Sequence, residues 1–195
     1  MLLFSARHYL LVRPLTRRGR TAAKNSLELV IDCHWLVLKY ALILLRSSFS
    51  APKVLHLLRC SPSADHQALS NFDAILRRAI QQITNSNVSE LQWIQASLPV
   101  RDGGLGIRRV SSLALPAFVA SAASTLSLQS DILSGCVSSD NNFLQSCLLS
   151  WSAQFGDIPE ILPPKQPFWD RSGVLADKTV VESSLRYSHL IAVPL

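Results

Sequence analysis

Leu69–Ile83 reads LSNFDAILRRAIQQI, and Leu69, Phe72, Leu76, Ala79 and Ile83 fall at 3-4-3-4 spacing. That spacing lines one face of an α-helix, with Arg77 and Arg78 on its outer side. Thr84-Asn85-Ser86-Asn87 ends the helix, and Ser61-Pro62-Ser63 separates it from what precedes. Upstream, Val54, Leu55, Leu57 and Leu58 predict a short helix with Pro52 in its first turn, after a break at Phe49-Ser50-Ala51. Downstream, Ser89 and Gln92 form a capping-box pattern opening another short helix through Trp93. Residues 97–109, with Pro99 and three glycines, cannot be regular helix. Leu113–Leu126 is rich in Ala, Ser and Leu with Pro116 inside, so a helix there starts late or bends. Asp140 caps a helix carrying Phe143, Cys147, Leu148, Trp151 and Phe155, which Gly156 stops. Pro159, Pro163, Pro164 and Pro167 make an extended connector, and a weaker helix runs from Trp169 to about Tyr187.

No stretch sustains period-two alternation, and no fixed-period repeat occurs. The fold class is therefore all-α, an irregular helical bundle with a Gly-rich turn and a Pro-rich connector. Three parts are expected: a basic, poorly ordered tail over 1–25, a helical domain over 26–156, and the connector with a weak C-terminal helix over 157–195.

The chain has 195 residues, 48% of them apolar and 16% charged, which suits a buried core and excludes a disordered chain. Its four cysteines, at 33, 60, 136 and 147, form no CxxC pair and no dense disulfide framework. Charge is uneven. Residues 1–59 hold ten basic and two acidic residues, a net of +8, and residues 60–195 hold nine and eleven, a net of −2. A basic arm on a near-neutral body points to a polyanion, nucleic acid or anionic lipid.

Six cations (Arg7, Arg13, Arg17, Arg18, Arg20 and Lys24) precede the first acid, Glu28, and alternate with apolar residues. Such a start resembles a mitochondrial transit peptide; the plainer reading is a basic tail that targets nothing. Nucleus or cytoplasm is accordingly expected before mitochondrion. Ser26–Leu45 (SLELVIDCHWLVLKYALILL) is the most apolar stretch, and Leu27, Ile31, Trp35, Leu38, Leu42 and Leu45 share a helical face. Glu28, Asp32, His34 and Lys39 make it costly to insert in a bilayer, so a core helix with an Asn25–Glu28 capping pair is expected and no membrane span.

Phosphate loops of the P-loop or dinucleotide type, HExxH, GxSxG and adjacent Asp-Asp pairs are absent from the sequence. No catalytic group, metal or cofactor is expected. His56 and Cys60 are helical neighbours with His66 nearby, and Cys33 adjoins His34, but neither set makes the four ligands of structural zinc. The informative segment is Trp93–Arg109, WIQASLPVRDGGLGIRR. Pro99 ends a helix, and Gly103 and Gly104 permit positive φ and close backbone approach. Arg101, Arg108 and Arg109 flank the turn and could each meet a phosphate, with the turn's N–H groups as further donors. The plain alternative is a structural turn with solvated arginines.

Trp93, Gln95, Ala96, Leu98, Pro99, Gly103, Gly104, Leu105, Gly106, Ile107 and Arg108, followed by the small-residue run Leu113–Ala122 (LALPAFVASA), resemble the segment just after the polymerase core in non-LTR (LINE-type) retrotransposon reverse transcriptases. Ala41–Pro62 and Phe72-Asp73-x-x-Leu76-Arg77 resemble that family's thumb-like helices, and Trp151 with Gln166-x-x-Trp169-Asp170 resembles its next linker. The likeness covers about residues 38–182. The family's aromatic-x-Asp-Asp palm motif and its Cys/His knuckle are missing from the sequence, and residues 1–36 do not resemble it.

The resemblance implies a non-catalytic thumb and post-thumb fragment of an RNA-directed DNA polymerase type. It implies Arg101, Arg108, Arg109, Gly103 and Gly104 as candidate RNA- or DNA-backbone contacts, weak and non-specific, and Trp93, Gln95, Pro99 and Gly106 as structural residues. A polymerase core or another protein is the expected partner of the apolar 26–45 helix. A helical protein-interaction module and a small mitochondrial helical protein are the alternatives.

Overall fold

The computed structural model describes residues 38–133 and 142–191, with side chains for all of these except 133 and 186–191. The basic tail, the Asn25–Glu28 pair, Cys33, His34, most of the 26–45 helix and the Asp140 cap lie outside the described residues. The described chain is all-α: helices α1 (Leu38–Leu44), α2 (Ala51–Cys60), α3 (Gln67–Thr84), α4 (Glu90–Ser97), α5 (Val110–Leu133), α6 (Asn142–Phe155) and α7 (Gln166–Ile191). A π turn over Leu45–Phe49 joins α1 to α2, and a 3₁₀ turn over Val100–Asp102 opens the Gly-rich segment.

Local signals act where they stand in the sequence. Pro52 sits in the first turn of α2, where its missing N–H costs nothing. Asn85, at φ 47°, ends α3 in the left-handed conformation that asparagine tolerates. At α4 both capping-box bonds form, Gln92 N to Ser89 Oγ at 3.3 Å and Ser89 N to Gln92 Oε1 at 2.9 Å. Gly156, at φ 112°, follows α6.

Helix α5 is the centre. Its apolar residues occur on all sides, so it needs neighbours all round. It packs against α2, α3, α6 and α7. One core cluster joins Leu45, Leu58, Leu76, Ile80, Trp93, Ile107 and Val110, from the π turn after α1 through the start of α5. A second joins Val119 of α5 to Leu144, Leu148 and Trp151 of α6 and Trp169 of α7. Leu98 carries a third, with Val174 and Val181 of α7.

Two helices differ from the sequence expectation. Helix α5 begins at Val110, before Leu113, and runs through Pro116. Pro116 deprives the Ser112 carbonyl of its helical donor, while the first turn is held from outside the helix, as described below. Helix α7, expected as a weaker helix from Trp169 to about Tyr187, spans Gln166–Ile191 and packs on both α5 and α4. Its anchor is Trp169, which is fully buried, packs edge-on against Trp151 at 5.0 Å and accepts the Trp151 Nε1–H on its carbonyl at 3.0 Å. Trp169 Nε1 in turn donates to the Pro163 carbonyl at 2.8 Å, so the Pro-rich connector is tied down at this residue.

Leu38–Cys60 and Val110–Ile132 are each long and apolar enough to cross a membrane by length and composition, with mean hydropathy 1.2 and 1.4. The first is broken by the π turn, Ser50 and Pro52. The second is the central core helix.

Candidate nucleic-acid interface at the Gly-rich turn

The turn after α4 is built on the end of that helix. Pro99 cannot continue the helical ladder, and Leu98 N–H closes α4 on the Gln95 carbonyl at 3.1 Å. The chain then curls back over the helix end. Asp102 N and Gly104 N donate to the Pro99 carbonyl at 2.9 and 3.1 Å, and Gly103 N donates to that of Val100 at 3.1 Å. Leu105 N and Ile107 N donate to the Ala96 carbonyl at 3.1 and 3.4 Å, and Gly106 N to that of Leu98 at 2.9 Å. Each N–H from Asp102 to Ile107 is thus spent on a protein carbonyl. Leu105, Gly106 and Ile107 thereby satisfy carbonyls at the end of α4, and Asp102, Gly103 and Gly104 close the turn itself on Pro99 and Val100, so these groups, expected as donors to a phosphate, have partners within the protein.

The glycines answer to this geometry in different ways. Gly103 sits at φ 84° in open space. Gly104 lies so close to the end of α4 that a Cβ would stand 2.1 Å from the Leu98 carbonyl oxygen. Gly106 sits at φ 73°, and a Cβ there would meet Arg46 Cδ at 2.9 Å. Trp93 is buried in the first core cluster, Gln95 is exposed, and Pro99 is half-buried.

The three flanking arginines separate. Arg108 pairs with Asp170 of α7, and Arg109 Nη2 reaches both oxygens of Asp177 at 2.5 and 2.6 Å. Both arginine side chains are largely withdrawn from solvent, at 18% and 20% exposure. Arg109 Nε is buried without a hydrogen-bond partner. Burial pushes the Asp170 carboxyl above the ordinary range, which Arg108 opposes and Asp177 reinforces. These arginines clamp α7 to the start of α5. Replacing Arg108 or Arg109 by Ala leaves a mostly buried carboxylate unpaired, and each should cost about 2 kcal/mol in chemical denaturation. An unchanged denaturation midpoint in both variants would remove them from the clamp.

Arg101 is different. Its side chain is 78% exposed, with a 3.3 Å contact to Asp102, which also takes Lys178 at 3.6 Å.

Two residues absent from the sequence-level site belong to it. Arg46, on the π turn, lays its aliphatic stem across Gly106 beside Val100, which brings the α1–α2 corner and the Gly-rich turn into one surface. Asp73, on α3, is buried and accepts Val110 N at 2.7 Å, Ser111 N at 3.1 Å and Ser111 Oγ at 2.5 Å. It caps α5 from a neighbouring helix. Burial raises its pKa, against the pull of those hydrogen bonds and of Arg109. No local pattern around residue 110 reveals this cap, since the donor and acceptor are 37 residues apart.

Of the metal candidates, His56 and Cys60 do meet, with Sγ 3.7 Å from Nε2. Among the described residues no group of three His, Cys, Asp or Glu side chains comes together to hold an ion. His66 caps α3, its Nδ1 accepting Ala68 N–H at 3.1 Å.

Compared with family models, with curated proteins and with solved structures, the chain finds no match in any of the three.

Proposed function

We propose that the chain is a non-catalytic helical module of the kind found as thumb and linker in non-LTR retrotransposon reverse transcriptases, and that it contacts nucleic-acid backbone. The observation that carries this reading is the charge of the α1–α2 corner. Residues 33–64 contain no Asp or Glu, and Lys39, Arg46 and Lys53 are exposed at the corner, with Arg59 exposed at the far end of α2, where it donates to Gln166 of α7 at 3.3 Å. Arg46 joins this surface to the Gly-rich turn, where Arg101 adds another exposed cation. The contact therefore centres on Lys39, Arg46, Lys53, Arg59 and Arg101, and Arg108 and Arg109 serve the fold. Catalysis is assigned to no residue, because the likeness covers segments that grip a template–primer and omits the paired acids that carry out the chemistry.

Binding of this type is dominated by phosphates and is sensitive to salt. Affinity for a labelled single strand should fall with a log–log slope of roughly −0.7 per neutralised phosphate. The double variant Lys53→Glu/Arg59→Glu should weaken binding at least tenfold at low salt while leaving the circular dichroism spectrum unchanged. Salt-independent binding, or binding indifferent to that charge reversal, would defeat the reading. With primer–template, deoxynucleotides and Mg²⁺ or Mn²⁺, no primer extension is expected; extension that survives repurification would overturn the non-catalytic assignment.

A further inference from the structure

We infer that Ser111 is a phosphorylation site for a serine kinase that reads arginines, and that its phosphate loosens the clamp between α5 and α7. Arg108-Arg109-Val110-Ser111 is the only Arg-Arg-x-Ser in the sequence. Kinases select substrates partly by charge pattern, and a cleft lined with carboxylates takes two guanidinium groups just ahead of the acceptor hydroxyl. Asp170 and Asp177 hold Arg108 and Arg109 in ion pairs, so such a cleft offers these side chains the same partners that α7 does. The acceptor is within reach. Ser111 is exposed and is the second residue of α5, and helix ends open at low cost. The chain ahead of it, from Leu98 to Arg109, is irregular apart from one 3₁₀ turn. Only the first turn of α5 must therefore open for the segment to lie extended in a cleft.

The step transfers the γ-phosphoryl group of a nucleoside triphosphate. Ser111 Oγ attacks the γ-phosphorus, the Oγ–P bond forms, and the bond from that phosphorus to the oxygen of the leaving diphosphate breaks. The hydroxyl proton passes to a carboxylate of the kinase. In the folded chain Ser111 Oγ donates that proton to Asp73 Oδ2 at 2.5 Å. The product therefore loses a donor to Asp73 and sets about two negative charges beside a buried carboxylate. The phosphate's other neighbours are cations. Ser111 and Asp73 line a groove of about 380 Å³ with Arg77, Arg78 and Arg109. Arg77 is held by the Val88 carbonyl and Glu90. Arg78 is exposed, and Arg109 keeps a buried Nε without a hydrogen-bond partner. Arg109 also lines the neighbouring cavity on the α7 side with Asp177, so it stands between the phosphate and that carboxylate. A phosphate dianion competes for it against a single charge. Phosphorylation thus weakens two ties together, Asp73 to the start of α5 and Arg109 to α7.

The experiment incubates the full chain with Mg²⁺, ATP and the catalytic subunit of cyclic-AMP-dependent protein kinase, which selects arginines at these two positions. Mass spectrometry should place a phosphate on Ser111. Arg108→Ala should lower the initial rate at Ser111 at least tenfold, although it loosens the fold. A serine reached merely through unfolding would instead be modified faster in that variant. On phosphorylation the melting temperature should fall by roughly 4–8 °C for a chain of this size. Ser111→Ala should melt at one temperature with and without kinase treatment, which removes every other acceptor from the comparison. In amide exchange, residues 110–113 and 174–182 of the phosphoprotein should lose protection together. No phosphate on Ser111, or an undiminished rate in Arg108→Ala, would overturn the site. A Ser111 phosphoprotein that melts with the unmodified chain would overturn the loosening of the clamp.

Discussion

Gly104→Ala should destabilise the protein by about 4 kcal/mol or more, which lies at the exceptional end for a single substitution. A methyl group at this position would stand 2.1 Å from the Leu98 carbonyl oxygen, 2.5 Å from its carbon and 2.6 Å from the Gln95 oxygen. All three are backbone atoms at the end of α4, so no rotamer change relieves the overlap. Relief requires the turn to lift off the helix. That breaks the bonds from Leu105 and Gly106 to the Ala96 and Leu98 carbonyls and disturbs Leu98, which is buried against Val174 and Val181. The neighbouring glycines provide an internal scale. Gly103→Ala meets nothing in space and carries only the left-handed backbone cost, about 1–2 kcal/mol. Gly106→Ala adds to a similar cost a contact with Arg46 Cδ, a flexible side chain that can swing aside. Denaturant titrations should rank the three variants with Gly104→Ala lowest in stability and Gly103→Ala highest. A Gly104→Ala protein as stable as Gly103→Ala would mean that the turn does not lie on the helix end in this way.

Asp73→Ala should cost about 3 kcal/mol. The carboxylate accepts Val110 N–H, Ser111 N–H and the Ser111 hydroxyl, and Ala leaves these donors without their acceptor at a buried helix start. An ordinary N-cap loss is worth about 1 kcal/mol, and each donor stranded away from water adds to it. For a protein of this size the melting temperature should drop by roughly 6–12 °C. Asp73→Asn should fall between Ala and wild type, because its amide keeps one acceptor but turns an NH₂ group toward donors. Asp73 holds only the first turn of α5, so the loss should appear first as fraying at residues 110–113 in amide exchange. A melting temperature within a degree of wild type for Asp73→Ala would show that α5 needs no cap from α3.

Much of the architecture is written in short-range pattern. The 3-4-3-4 spacing from Leu69 to Ile83, Pro52 in the first turn of α2, the Ser89–Gln92 box and the stop at Gly156 each act within four residues of themselves. Helix geometry and capping are local physics, so the all-α class and most helix positions follow from these patterns. The Gly-rich segment was equally visible as a turn. Its purpose was not, because an N–H group reads the same whether it faces a phosphate or a carbonyl belonging to the preceding helix.

Long-range partners decided the rest. Arg108 and Arg109 are indistinguishable from Arg101 in sequence, yet Asp170 and Asp177, more than sixty residues away, draw the first two out of solvent and leave Arg101 exposed. Helix α7 looks weak by itself, with Pro167 and Gly173 near its start, and gains its length from Trp169 buried against Trp151. Helix α5 starts at Val110 because Asp73 reaches its first turn from α3. Arg46 lies against the Gly-rich turn because Gly106 has no side chain to keep it away. The sequence by itself determined where the helices lie and that a glycine turn must follow α4, since those depend on periodicity, φ and caps within a few residues. Only the tertiary structure decided which cations stay in water and which become clamps, because a charge's role depends on the carboxylate that packing brings to it.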